Sequence, residues 1–190
     1  MDSLIRTGMV EAPVMATQGL VKSLAVSEAR EAEDNGIRIA GVSKTYTAID
    51  GRPVCALQEI DLNIQPNEFV CLVGKSGCGK TSLLNMIAGF VTPTTGEIHV
   101  GTELVRGPGQ GKGVVFQQFG LFPWLTARKN IEFAAKQRGL PAEQQRQVAS
   151  DLIRLVHLHG FEDKYPYELS GGMQQRVAIA RAIVSHPDVL

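Results

Sequence analysis

The chain has 190 residues, 44% of them hydrophobic and 20% charged, with a formal net charge of zero. That is the composition of a soluble globular protein, long enough for one domain with a substantial core. The balanced charge offers no electrostatic footing for a nucleic-acid partner.

Cys55, Cys71 and Cys78 have no metal-ligand spacing and read as reduced thiols, not as a disulfide framework. No apolar run approaches the ~18 residues of a membrane span, and Asp2, Arg6 and Glu11 interrupt the start, so there is no secretory apolar region. A cytoplasmic location is expected, with any membrane role supplied by a partner.

Residues 1–35 stand apart. Leu20, Val21 and Leu24 have the spacing of one amphipathic turn, and Glu28, Glu31, Glu33 and Asp34 then make the segment acidic. It reads as a partly disordered extension ended by Asn35-Gly36, or as a partner-binding helix. From residue 36 the pattern is that of a domain. Ile37, Ile39 and Val42 predict a first strand, and a polar turn at Asp50-Gly51-Arg52-Pro53 follows. Ile60, Leu62 and Ile64 alternate with Asp61 and Asn63 as a period-2 strand. These short strands predict a small antiparallel sheet beside an α/β core.

The apolar run Phe69-Val70-Cys71-Leu72-Val73 reads as a strand. It leads into Gly74-Lys75-Ser76-Gly77-Cys78-Gly79-Lys80-Thr81, which fits G-x-x-x-x-G-K-[ST] without mismatch. Ser82 to Ala88 follows as a helix ended by Gly89. Strand, loop and helix in that order are the setting a phosphate loop requires. Its glycines let successive N–H groups turn into one concavity, and the helix adds the positive end of its dipole. Lys80 supplies a point charge for the outer phosphates, and the Thr81 hydroxyl is placed for Mg²⁺.

Beyond it, Thr92 to Gly96 is a turn and Glu97 to Val100 a strand. Gly107 to Gly113 is a glycine-rich loop, and Val114-Val115-Phe116 a buried-type strand ending in Gln117-Gln118. Phe119 to Leu125 is strongly apolar for a loop. Helices are expected over Thr126–Gly139 and from Pro141 through His159, where His157 and His159 are surface residues on different faces. Ser170 is a natural N-cap for a helix running to Ser185, with Met173, Val177, Ala180 and Val184 on one face. Asp188-Val189-Leu190 reads as the start of another strand.

Lys80-Thr81 in one motif and Leu169-Ser170-Gly171-Gly172-Met173-Gln174-Gln175-Arg176 in a second resemble, over about residues 37–190, the nucleotide-binding subunit of an ABC transporter. The tract Gln117 to Thr126 is most similar to the ATPases of nitrate, sulfonate and taurine importers. The resemblance implies a P-loop NTPase fold: an α/β, RecA-like core with an N-terminal antiparallel β-subdomain and a helical subdomain. It implies ATP and Mg²⁺ as cofactors, with Tyr46 as the aromatic that stacks on adenine. The alternative reading of Tyr46 is a strand-edge tyrosine.

Gly74, Lys75, Ser76, Gly77, Cys78, Gly79, Lys80, Thr81 and Ser82 would hold the phosphates, and Gln117 would position water and Mg²⁺ with Thr81. Ser170, Gly171, Gly172 and Gln174 would reach the ATP of a second subunit, so two chains would act as a head-to-tail dimer. Further implied partners are transmembrane permease subunits and, indirectly, a periplasmic or lipoprotein solute-binding protein. The implied location is the inner face of the membrane. Phe122-Pro123-Trp124 either packs locally or docks on the permease.

The family pattern continues, past the point where this sequence stops, with a strand ending in Asp, a catalytic Glu and a switch His. None of His99, His157, His159 and His186 stands where that histidine belongs. The sequence is therefore expected to be a fragment, ending before the Walker B strand is complete and lacking about 5–9 kcal/mol of central-strand burial. Nucleotide contacts without competent hydrolysis are expected of it. The alternatives are a non-catalytic ATP-binding or decoy module that pairs with a complete subunit, and a soluble ABC protein of repair or translation. No guanine-selective Asn-Lys-x-Asp supports a GTPase.

Overall fold

The structure, a computed structural model, describes residues 36–109 and 111–190. The expectation for residues 1–35 lies outside them. The chain divides into two compact units, Met1–Gly107 and Pro108–Leu190.

The first unit is built on a four-stranded antiparallel sheet in the order β2-β1-β3-β4. Its strands are β1 (Ile37–Thr47), β2 (Pro53–Ile64), β3 (Thr95–Val100) and β4 (Glu103–Leu104). Alternation puts Ile37, Ile39, Val42, Leu57 and Ile98 in the core, where helix α1 (Lys80–Ile87) lays Leu83, Met86 and Ile87 against them. β1 and β2 are joined by the expected turn, in which Gly51 N–H donates to the Ala48 carbonyl at 2.9 Å and Asp50 accepts from Arg52. β1 shifts register three times between Ile39 and Thr45, and Asp61 Oδ1 accepts from Gly41 N–H at 2.8 Å across that irregular stretch. β3 begins two residues earlier than the sequence suggests, because Thr95 pairs with Ser43.

Phe69 to Val73 departs from expectation. It is extended but forms no ladder with any described strand, and Phe69 and Val73 are 86% and 69% exposed. An apolar run becomes a strand only when a neighbour takes up its backbone N–H and C=O groups.

The second unit is helical: α2 (Ala127–Gln137), α3 (Ala142–Leu155), a 3-10 turn (Pro166–Glu168) and α4 (Gly171–Ile183). Ala127, Ile131 and Ala135 from α2, Ala149, Leu152 and Ile153 from α3, and Val177 and Ala180 from α4 close one core with Leu158, Leu169 and Val184. Spacings of three and four residues make each of these faces.

α3 stops at Leu155, short of the expected His159, because His157 adopts φ 55°, and Leu158 folds back into the core. His157 and His159 are thus exposed turn residues rather than helical ones. α4 stops at Ile183, two residues early, and His186 turns with φ 49°. The tract 114–116 carries no ladder. Just before it, Lys112 makes a parallel bridge to Val189, Gly113 N–H donates to the Val189 carbonyl at 2.8 Å, and Val189 N–H donates to Gly111 at 3.0 Å. This is the only parallel pairing among the described residues.

Candidate functional site

Site residues gather at the N-termini of α1 and α4, one in each unit. At α1 the chain leaves its extended run, turns at Ser76-Gly77 and enters the helix through Gly79, whose φ is 94°. A Cβ at Gly79 would lie 2.5 Å from the Ala56 carbonyl oxygen and 2.8 Å from Leu57 Cδ1, so only glycine lets the loop press this closely on β2. No side chain caps α1. Its first-turn residues Lys80, Thr81 and Ser82 instead line a cavity of about 440 Å³ with Ala56, Ser76, Gly77 and Gly79. That volume falls in the range of small-ligand sites, and orphan first-turn N–H groups favour anions.

Lys80 arches back over its loop. Its Nζ donates to the carbonyls of Gly74 and Lys75 at 2.8 Å each and lies 3.5 Å from Cys78 Sγ. Its positive charge is therefore held at the loop. Cys78 is a half-buried thiol; Cys55 and Cys71 are exposed ones.

Tyr46, at the end of β1, reaches this rim. Its hydroxyl donates to Ser82 Oγ at 3.4 Å while the ring remains 39% exposed. Tyr46 thus stands at the end of an inner strand, with its hydroxyl on the phosphate-loop helix. Thr81 is exposed at the cavity. No cluster of three or more His, Cys, Asp or Glu occurs among the described residues. A hydroxyl without carboxylates suits a hard cation that arrives largely coordinated by phosphate oxygens.

In the second unit, Ser170 caps α4, its Oγ accepting from Met173 N–H at 3.3 Å. Gly171 and Gly172 are exposed at the helix entrance. A Cβ at Gly172 would meet nothing within 4 Å. Gln174 points the other way: its Nε2 donates to the carbonyls of Pro166 and Leu169 at 2.9 and 3.0 Å, bracing the turn before α4. Both amide protons are committed there, which leaves only its oxygen for another partner. That turn is also fixed by Glu168, which accepts from Tyr165 N–H at 2.8 Å. This bond, and next the one from Lys164, holds the Glu168 carboxyl below the usual carboxylate range.

Gln117 is exposed in the turn that precedes the apolar loop. That loop is organised by a residue the sequence reading missed. Asn130, wholly buried on α2, accepts from Phe122 N–H at 2.9 Å through Oδ1. Its Nδ2 donates to the carbonyls of Phe122, Leu125 and Thr126 at 3.0–3.2 Å. The available signal was a lone asparagine between Ala127 and Ile131 on an otherwise apolar face.

Arg181 of α4 joins the same loop, donating to the Gly120 carbonyl at 2.8 Å and the Phe119 carbonyl at 3.3 Å, with its guanidinium 5.4 Å from the Phe122 ring centroid. Burial lowers its pKa from the ordinary value, but an arginine stays charged at neutral pH. Phe122 packs edge-on to Phe133 at 4.7 Å, whereas Trp124 is 70% exposed. The loop thus packs through Phe122 and presents Trp124. No helix among the described residues is long and apolar enough to cross a membrane.

Residues 57–190 match the ABC transporter family. The nitrate import ATP-binding protein NrtD of Synechocystis sp. is 50% identical over 154 residues, covering 81% of this chain and 58% of that protein. The taurine import ATP-binding protein TauB of Roseobacter denitrificans is 41% identical over 155 residues, covering 82% and 58%. An ATP-binding cassette solved as a dimer in a post-hydrolysis state, bound to ADP and Pi, is 35% identical with a TM-score of 0.70, covering 80% of this chain and 70% of that one. The chain therefore spans somewhat more than half the length of the curated relatives it matches, and shares the P-loop NTPase fold of solved cassettes.

Proposed function

The chain belongs to the ABC transporter family, and on that premise we propose that it is the nucleotide-binding part of an ATPase subunit that energises the import of a small anion. The observation that carries this is one cavity, at the uncapped start of α1, lined by Gly79, Lys80, Thr81 and Ser82 with Tyr46 at its rim. Its residues suit a nucleoside triphosphate. The loop and first-turn N–H groups take the phosphates, Lys80 moves its charge from its own carbonyls to the outer phosphates, and Tyr46 offers its ring to adenine. Mg²⁺, when bound, would neutralise phosphate charge, and Thr81 and Gln117 are the residues proposed to hold it. Gln117 also orients the attacking water.

Residues 36–190 form the ATP-binding domain in this reading, and residues 1–35 precede it as an extension. Ser170, Gly171 and Gly172 present an open helix start to the ATP of a second subunit in a head-to-tail dimer, and Gln174, its amide protons held by Pro166 and Leu169, offers that ATP only its side-chain oxygen, an acceptor for a ribose hydroxyl and not for phosphate. The dimer works beneath transmembrane permease subunits on the inner face of the membrane, supplied by a solute-binding protein. The importer reading draws on the named nitrate and taurine relatives, and exposed Trp124 supplies an aromatic anchor for the permease.

The test is titration of the full chain with MgATP, with phosphate release followed in parallel. Binding that Lys80→Ala weakens at least about tenfold is expected, and turnover that the same substitution abolishes rules out the non-catalytic alternative. Binding without turnover is what either reading expects of these residues alone, and turnover that appears only on mixing with a complete subunit assigns the alternative, a module that pairs with one. Absence of binding overturns both.

A further inference from the structure

The Lys44 side chain is held against Tyr46. The two residues are two apart on β1, across the last of its register shifts. Lys44 Nζ lies 5.1 Å from the Tyr46 ring centroid, within cation–π range, and donates to the Thr92 carbonyl at 2.7 Å. The turn that carries Thr92 is itself bound to β1: Thr94 N–H donates to the Ser43 carbonyl at 2.8 Å, and Thr45 N–H to Thr94 Oγ1 at 3.0 Å. The ammonium is therefore fixed in place. With the hydroxyl on Ser82, the Tyr46 ring is held at its far end and over one face.

We propose that Lys44 is a positioning residue for the nucleotide base: it backs one face of Tyr46 and leaves the opposite face, ordered and electron-poor, for a purine. This deepens the proposed function and rests on it. A cation over one face draws π density toward itself, so the other face carries less negative charge. An electron-rich purine then stacks there with less repulsion between ring quadrupoles. The ring also pays less ordering entropy on binding, because two contacts already restrict it.

The experiment compares the full chain with its Lys44→Met and Lys44→Arg variants, by calorimetric titration with MgATP and, separately, with magnesium tripolyphosphate, which has no base. Lys44→Met is expected to weaken MgATP about threefold and leave tripolyphosphate unchanged, and Lys44→Arg to restore ATP, since a guanidinium also sits over an aromatic ring. In a Tyr46→Leu background, Lys44→Met is expected to add nothing, which a simple tie to Thr92 would not predict. Unchanged ATP affinity in Lys44→Met overturns the inference, as does equal weakening of both ligands. A parent chain that binds neither ligand brings down the proposed function itself, together with this inference.

Discussion

The starts of α1 and α4 are both glycine-rich and both open to anions, yet they are supported in opposite ways. α4 is capped by Ser170, braced by Gln174 and rooted in a closed core through Val177 and Ala180, both 0% exposed. α1 has no side-chain cap and follows an extended run whose apolar side chains, Phe69 and Val73, lie in the open. A small apolar gap of about 50 Å³, lined by Leu57, Leu62, Leu72 and Leu83 among others, lies beneath its loop. The cap and brace of α4 come from its own neighbourhood, whereas the phosphate loop is held by Lys80 on its own carbonyls and by the close approach of Gly79 to β2.

That contrast can be broken most directly at the glycines. Gly79→Ala drives a methyl into the Ala56 carbonyl at a positive φ and is expected to cost about 4 kcal/mol, seen as a lower urea midpoint. Gly172→Ala, in open space, is expected to leave that midpoint in place. Equal costs at the two positions would erase the difference between the helix starts.

A smaller effect tests the self-sufficiency of the helical unit. Asn130→Ala removes every side-chain bond that holds the 122–126 backbone, and is expected to cost about 3 kcal/mol and loosen protection of Phe122 N–H in hydrogen exchange.

The smallest concerns pH. Burial, with Arg138 nearby, pushes the His186 imidazole below its ordinary value of 6.5. Protonation is thus disfavoured in the folded state, so stability is full above pH 6.5 and falls as the pH drops through the lowered value. His186→Asn keeps a residue tolerant of the left-handed backbone at φ 49° and is expected to flatten the melting temperature between pH 7 and 5.

Much of this arrangement could be read from the chain alone, where local chemistry decides it. The phosphate loop, the Ser170 cap and the α4 face at Met173, Val177, Ala180 and Val184 follow from spacing and residue type, because caps and faces depend on neighbours within one helical turn. What escaped depends on distant partners. Phe69 to Val73 has every local mark of a strand and no pairing among the described residues. Asn130 resembles any polar residue on a helix until the loop it binds is known. Lys44 and Arg181 carry no local signal of their roles, since their targets, Thr92 and Gly120, lie 48 and 61 residues away.

Arg181 also gives the second unit a mechanical property. Its two hydrogen bonds to residues 119–120 and its stacking on Phe122, with Asn130 clasping the loop from the other side, make loop and helix one stiff strut. Trp124 thus stands on backbone tied to α2 through Asn130 and to α4 through Arg181.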